Sequence, residues 1–197
     1  ESLTLPRILR IVEQTATALV AAHAADIVHG DIKPENIMLR LDSIVKVLDF
    51  GLAKPNQQII QSGDTESNRT VPGTVMGSAR YMSPEQARGQ DVDGRTDIWS
   101  LGIVLYEMVT GVVPFNGEST ADTLAAVIYK EPEPLWHILP NSPAELQRII
   151  RKALQKDREE RYQSVKDLAL DVKDLLYDLE HSNSGNRSAH ITSSPNF

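Results

Sequence analysis

The stretch His29-Gly30-Asp31-Ile32-Lys33-Pro34-Glu35-Asn36 places a carboxylate, an ammonium group and an amide in one short polar loop. The carboxylate of Asp31 can accept the proton of an attacking hydroxyl group. The ammonium group of Lys33 can neutralise charge on a phosphate. The amide oxygen of Asn36 can ligate a hard divalent cation. The loop therefore contains the side-chain types that phosphate chemistry requires.

A second carboxylate follows in Asp49-Phe50-Gly51, directly after a short β-rich run. Asp49 could contribute an oxygen ligand to the same cation as Asn36. A lone Asp or Lys in a polar loop is usually a solvated residue with no chemical role. Here four such residues, Asp31, Lys33, Asn36 and Asp49, occur together within a short stretch, which favours a common site.

Hydrophobic periodicity around this loop predicts a mainly α-helical lobe with a small β hairpin beside the loop. The runs Ile37-Met38-Leu39 and 44–48 are the expected hairpin strands. Residues 97–110 are apolar on nearly every side, which is typical of a helix at the centre of a domain. Further helices are expected at 6–24, at about 119–130, from a capping box at Ser142 to about 155, and from Ser164 to about 180.

Composition narrows the classes of protein to which the chain can belong. Its 197 residues suit one domain, and 41% hydrophobic residues exclude disorder of the whole chain. A net charge of -7 without a dense basic run argues against nucleic-acid or anionic-membrane binding. Without cysteine, disulfides and thiolate metal sites are excluded. The scattered histidines at 23, 137, 181 and 190 are assigned no metal.

The loop and Asp49-Phe50-Gly51 together resemble the catalytic loop and the metal-binding DFG motif of eukaryotic-type protein kinases. The Lys-Pro-Glu-Asn sequence that ends the loop resembles the sequence found in the serine/threonine branch of that family. The downstream motifs follow in family order, and the run from Tyr81 to Gln86 resembles bacterial members. These motifs are Ser83-Pro84-Glu85, then Asp97-Ile98-Trp99-Ser100-Leu101-Gly102, then Arg161.

The resemblance implies a protein-kinase-like C-terminal lobe that acts with ATP and Mg²⁺. Asp31 would orient or deprotonate the substrate hydroxyl, and Lys33 would contact the γ-phosphate. Asn36 and Asp49 would hold Mg²⁺ between the phosphates. The implied partner is a protein substrate with a Ser or Thr acceptor.

Supporting roles follow from the same resemblance. Glu85 and Arg161 would form a buried ion pair that anchors the end of the activation segment. Asp97 would accept backbone N–H groups of the catalytic loop. The remaining implied positions are His29 as a structural residue, Phe50 and Gly51 in the metal loop, and Ser78 as a hydroxyl near Asp31 and Lys33.

Two departures from the family pattern bear on function. Gly30 stands where the family has Arg, which usually pairs with a phosphorylated residue of the activation segment. No glycine-rich loop, strand lysine or hinge precedes residue 6, so the N-terminal lobe is absent from this sequence. The leading hypothesis is the catalytic lobe of a serine/threonine kinase, inactive without its N-lobe. The alternatives are a truncated or degenerate pseudokinase that acts as a binding module, and a helical domain with coincidental motifs.

The expected organisation is a partial kinase domain over residues 1–181, followed by a disordered tail or linker over 182–197. The first residue is Glu, so we expect the chain to be a piece of a longer protein. No secretory signal is present, and the apolar stretch 98–109 is too short to span a membrane. We therefore expect no membrane contact within the chain and a cytoplasmic location, with an anchor beyond residue 197 left open.

Overall fold

The computed structural model describes residues 3–50 and 78–188, with side chains as far as residue 181. These residues form a mainly helical structure with one two-stranded antiparallel sheet, as the sequence predicted. Two 3₁₀ turns, Pro34–Asn36 and Arg158–Glu160, connect elements. The strands are β1 (Ile37–Leu39) and β2 (Val45–Val47), and the helices are α1 (Leu5–His23), α2 (Pro84–Ala87), α3 (Gly94–Thr110), α4 (Thr120–Tyr129), α5 (Leu135–Ile138), α6 (Ala144–Ala153) and α7 (Val165–Ser188).

Helix α3 is the buried centre of the lobe, as its all-round apolar pattern predicted. Every residue from Thr96 to Tyr106 is buried. The helix begins before the predicted residue 97 because the Asp93 side chain accepts the Arg95 N–H and caps it. It ends at Gly111, whose φ of 78° is left-handed and suits glycine.

Removing a large side chain from α3 should destabilise the fold strongly. Trp99 and Leu101 are fully buried, and the Trp99 ring stacks on Phe115 with ring centroids 5.5 Å apart. Replacing either residue with alanine should lower the free energy of unfolding by about 2–5 kcal/mol, because each change leaves a cavity. Urea unfolding measures this, with the half-exposed Leu170→Ala as control. A Leu101→Ala variant as stable as the control would contradict the central role of α3.

The hairpin is held against α1 by the side chain of Gln14. Its Oε1 accepts the backbone N–H of Val45 at 3.0 Å, and its Nε2 donates to the carbonyl of Ser43 at 3.2 Å. The strands pair with Ile37 opposite Val47 and Leu39 opposite Val45. Since α1 also packs on α3 and α7, the hairpin is placed relative to the core.

The hairpin also presents apolar side chains to solvent. Met38, Leu41 and Ile44 are all exposed although they are large hydrophobic residues.

Two predictions near the C-terminal end need correction. Ser142 does not cap α6: Pro143 occupies the cap position without a side-chain bond, and the Glu145 carboxylate instead pairs with Arg148. Helix α7 continues to Ser188 rather than ending near 180, because extending a formed helix costs little and no proline follows until Pro195. The expected disordered tail therefore overlaps α7 at 182–188, and residues 189–197 lie outside the described residues.

None of the helices within 3–50 and 78–188 has the length and apolar character that a bilayer crossing requires.

Candidate active site

Asp31, Lys33 and Ser78 form one hydrogen-bonded group. The Lys33 Nζ atom donates to Asp31 Oδ2 at 2.7 Å and to Ser78 Oγ at 3.2 Å. Lys33 and Asp31 keep 18% and 39% of their side chains exposed, so both can meet a substrate. The described chain after residue 77 therefore contacts the catalytic loop through the Ser78 hydroxyl.

Asn36 is a buried polar residue at the end of the loop, with 5% exposure. It ends the 3₁₀ turn that begins at Pro34, a residue whose fixed φ suits a first turn. Its Nδ2 donates to the Asp31 carbonyl at 2.8 Å and to Asp31 Oδ2 at 3.2 Å. With Nδ2 held by Asp31, the amide oxygen is the atom of Asn36 that suits a cation.

Asp49 is brought to the loop by the residue before it. The Leu48 N–H donates to the Asn36 carbonyl at 2.9 Å, and the Leu48 carbonyl lies 2.8 Å from His29 Nε2. Asp49 itself has a φ of 59°, a conformation that Asp tolerates better than most residues, and it is exposed. The end of β2 is thus fixed to both ends of the catalytic loop.

His29 joins the loop to the DFG segment. It is fully buried, and its Nδ1 accepts the Asp31 N–H at 3.2 Å while Nε2 donates to Leu48. These two bonds assign the neutral tautomer with the proton on Nε2. The edge of the ring packs on Phe50, with centroids 4.9 Å apart. The predicted role of Gly51 lies outside the described residues.

Asp97, in the first turn of α3, holds the backbone of the catalytic loop. Its Oδ1 accepts the Gly30 N–H at 2.7 Å, and its Oδ2 accepts the His29 N–H at 2.9 Å. These are the contacts that the resemblance implied. The same Oδ2 also lies 2.7 Å from His23 Nε2, a contact that sequence reasoning missed because His23 carries no motif.

Glu85 and Arg161 form a two-pronged ion pair with both N···O distances at 2.7 Å. Both residues are buried, at 3% and 2% exposure. Burial alone would raise the pKa of Glu85, but the hydrogen bonds and charge of Arg161 outweigh burial and hold it below its usual value. Thr96 Oγ1 also donates to Glu85, at 2.8 Å, so α2 is fixed to α3 and to the segment before α7.

Gly30 adopts a left-handed backbone conformation, with a φ of 74°. Glycine reaches this region without strain, whereas a residue with a Cβ atom pays about 1–2 kcal/mol. Its carbonyl accepts a hydrogen bond from Gln86 Nε2 at 2.7 Å. Gln86 was not predicted from the sequence, yet it links α2 directly to the catalytic loop.

The replacement of the family's Arg by Gly30 predicts weak control by phosphorylation of Thr65, Ser67, Thr70 or Thr74, which lie outside the described residues. The Arg that would pair with a phosphate is replaced by Gly30, and Gln86 supplies an uncharged link to the loop instead. Phosphatase treatment of the full-length protein should therefore change little the kinase activity that the resemblance implies. A many-fold loss of activity on dephosphorylation would contradict this prediction.

Comparisons with known proteins agree with this geometry. The family model for the protein kinase domain matches residues 1–171. A probable serine/threonine-protein kinase of Clostridium perfringens is 46% identical over 165 residues, which is 84% of this chain and 23% of that protein. Serine/threonine-protein kinase Pkn1 of Myxococcus xanthus is 40% identical over 80% of the chain and 22% of its own length. PknB of Mycolicibacterium smegmatis is 38% identical over 84% of the chain and 26% of its own length. The chain thus spans about a quarter of the length of these relatives.

Proposed function

Because the chain belongs to the protein kinase domain family, we propose that it is the C-terminal catalytic lobe of a serine/threonine kinase. The whole protein would transfer the γ-phosphate of ATP to Ser or Thr hydroxyls of protein substrates. One observation carries this proposal: Lys33 and Asn36 both donate to the carboxylate of Asp31. That arrangement orients one partly exposed carboxylate beside one ammonium group, which is what hydroxyl activation next to a phosphate needs.

The residues present support a simple reaction. The substrate hydroxyl is oriented by Asp31 and gives its proton to that carboxylate as its oxygen bonds to the γ-phosphorus. The bond from the γ-phosphorus to the bridging oxygen of ADP breaks, and ADP carries away the electron pair. Lys33 offsets the negative charge on the transferring group. The Ser78 hydroxyl accepts a second hydrogen bond from the Lys33 ammonium group.

The side-chain oxygens of Asn36 and Asp49 are of the type that fits a magnesium ion. Asn36 offers an amide oxygen whose orientation is set by the two Nδ2 bonds to Asp31, and Asp49 offers an exposed carboxylate. Amide and carboxylate oxygens are ligands that Mg²⁺ accepts together with phosphate oxygens. When bound, Mg²⁺ would offset phosphate charge during transfer.

The geometry favours an enzyme over a degenerate binding module. Gly30 was the residue that suggested degeneration. Its left-handed φ is a local conformational reason for glycine at this position. A scaffold has no physical need for the shared bonds among Asp31, Lys33, Asn36 and Ser78. We further propose that residues 1–181 form the lobe and that its partner is a protein rather than a nucleic acid, with a cytoplasmic location.

A phosphate-transfer assay tests the proposed function. The full-length protein should transfer the γ-phosphate of labelled ATP to a generic Ser/Thr-containing protein in the presence of Mg²⁺. The Asp31→Ala variant should show none of this transfer above background. Equal labelling by the wild type and the variant, or no labelling by either, would reject the kinase assignment.

A further inference from the structure

We propose that His23 is a positioning residue for the catalytic loop and that it acts through Asp97. The kinetic part of this inference rests on the proposed function, whereas its structural part does not. His23 is the last residue of α1, and Asp97 lies in the first turn of α3. The pair therefore joins the end of one helix to the start of another beneath the loop.

The Asp97 carboxylate is fully buried and receives three donors. The Gly30 N–H bonds to Oδ1 at 2.7 Å, while the His29 N–H at 2.9 Å and His23 Nε2 at 2.7 Å share Oδ2. A buried carboxylate requires such donors, because each one replaces lost hydration. His23 is the one side-chain donor among the three, so it fixes the carboxylate in the rotamer that the loop amides use.

The imidazole of His23 is itself held in place by the start of α3. A Cβ atom built on Gly94 would lie 2.8 Å from both Cε1 and Nδ1 of the ring, so the ring packs closely on the glycine backbone. The His23 side chain is 19% exposed, at the edge of a cavity of about 420 Å³ that Val20, Ile98 and Val165 also line. Any residue larger than glycine at position 94 would displace the ring from Asp97.

Displacing the ring would affect Asp31 through a short series of bonds. Asp97 holds the N–H groups of His29 and Gly30, and His29 Nδ1 accepts the N–H of Asp31. Gly30 lies at a left-handed turn, where an alternative backbone conformation is readily reached. Losing one donor to Asp97 should therefore loosen the turn that carries the Asp31 carboxylate.

The experiment compares four variants of the full-length kinase with the wild type. His23→Leu removes the donor, and His23→Gln restores an N–H at nearly the position of Nε2. Gly94→Ala keeps the histidine but pushes its ring away. His181→Leu is the matched control, because His181 is exposed and bonds within α7 to the Tyr177 carbonyl. Two readouts are measured: amide hydrogen exchange at His29 and Gly30, and kcat separately from KM for ATP and for the protein substrate.

We expect His23→Leu and Gly94→Ala to speed exchange at both amides by about tenfold and to lower kcat by a similar factor, the effect of one charge-assisted hydrogen bond. KM for ATP should stay within about twofold, since uniform binding is not altered. His23→Gln should recover most of the loss, and His181→Leu should match the wild type.

Unchanged exchange at His29 and Gly30 in Gly94→Ala would overturn the inference, even if His23→Leu failed to fold. A Gln variant as impaired as the Leu variant would also overturn it, because the donor would then not matter. If the wild type proved inactive, the proposed function would fail. The exchange measurements would still decide whether His23 orders the loop.

Discussion

Replacing Asp31 with asparagine should lower kcat for phosphate transfer by about 10²–10⁴-fold, the usual contribution of a positioned general base. Asparagine keeps the size of the side chain and an oxygen that can accept a hydrogen bond from Lys33 Nζ. In the wild type that bond to Asp31 Oδ2 is 2.7 Å long. It cannot take up a proton and it carries no charge. The variant should therefore fold and bind ATP, and the chemical step should fail.

The measurement is single-turnover transfer from labelled ATP by the full-length protein, alongside ATP binding at equilibrium. A suitable control is Asp42→Asn, because Asp42 is an exposed carboxylate at the hairpin turn whose side chain pairs with Arg40. We expect Asp42→Asn to retain wild-type kinetics. If Asp31→Asn transferred phosphate within a fewfold of this control, Asp31 would not be the proton acceptor.

The loop and the hairpin could be predicted because their information is local. Asp31, Lys33 and Asn36 lie in one turn, so a short motif specifies their mutual geometry without any distant contact. The two short runs after them are rich in β-forming residues, and their brief connection limits them to a hairpin. Helix α3 was equally clear because it is apolar on nearly every side, which only a buried helix tolerates.

The residues that hold the site in place gave no such signal. Gln14, His23 and Gln86 each use one polar side chain to bind backbone or carboxylate atoms of a segment distant in sequence. A single glutamine or histidine has no period or spacing that marks it. Ser142 shows the converse error: its local pattern predicts a capping box, but Arg148 competes for the Glu145 carboxylate. A local motif fails where another side chain, here one turn further along the same helix, offers its partner a stronger interaction.

The largest effect on stability should come from breaking the Glu85–Arg161 pair. Glu85→Gln would leave the guanidinium of Arg161 buried without a counter-charge, which costs about 3–5 kcal/mol when one partner of a buried pair is removed. Arg161 also donates to the carbonyls of Gln155, Arg95 and Lys156, so it cannot turn towards solvent without breaking further bonds. Replacing both partners, as in Glu85→Leu with Arg161→Met, should cost less than either single change because no charge is then left buried.

The pH dependence of stability gives an independent test of this pair. The pKa of Glu85 is lower in the folded protein than in the unfolded chain, so the unfolded state takes up a proton first as the pH falls. The stabilisation that the Glu85–Arg161 pair contributes is therefore complete above the ordinary carboxyl pKa near 4.5. It is lost as the pH falls through the lower pKa that Glu85 has in the folded protein. Urea unfolding of the kinase domain at neutral and acidic pH should show the wild type and Glu85→Gln converging in acid.

The exposed Arg40–Asp42 pair is the reference, since its loss in Asp42→Asn should cost about 0–1 kcal/mol. If Glu85→Gln were as mild as Asp42→Asn at neutral pH, the ion pair would not be the anchor between α2 and the segment before α7.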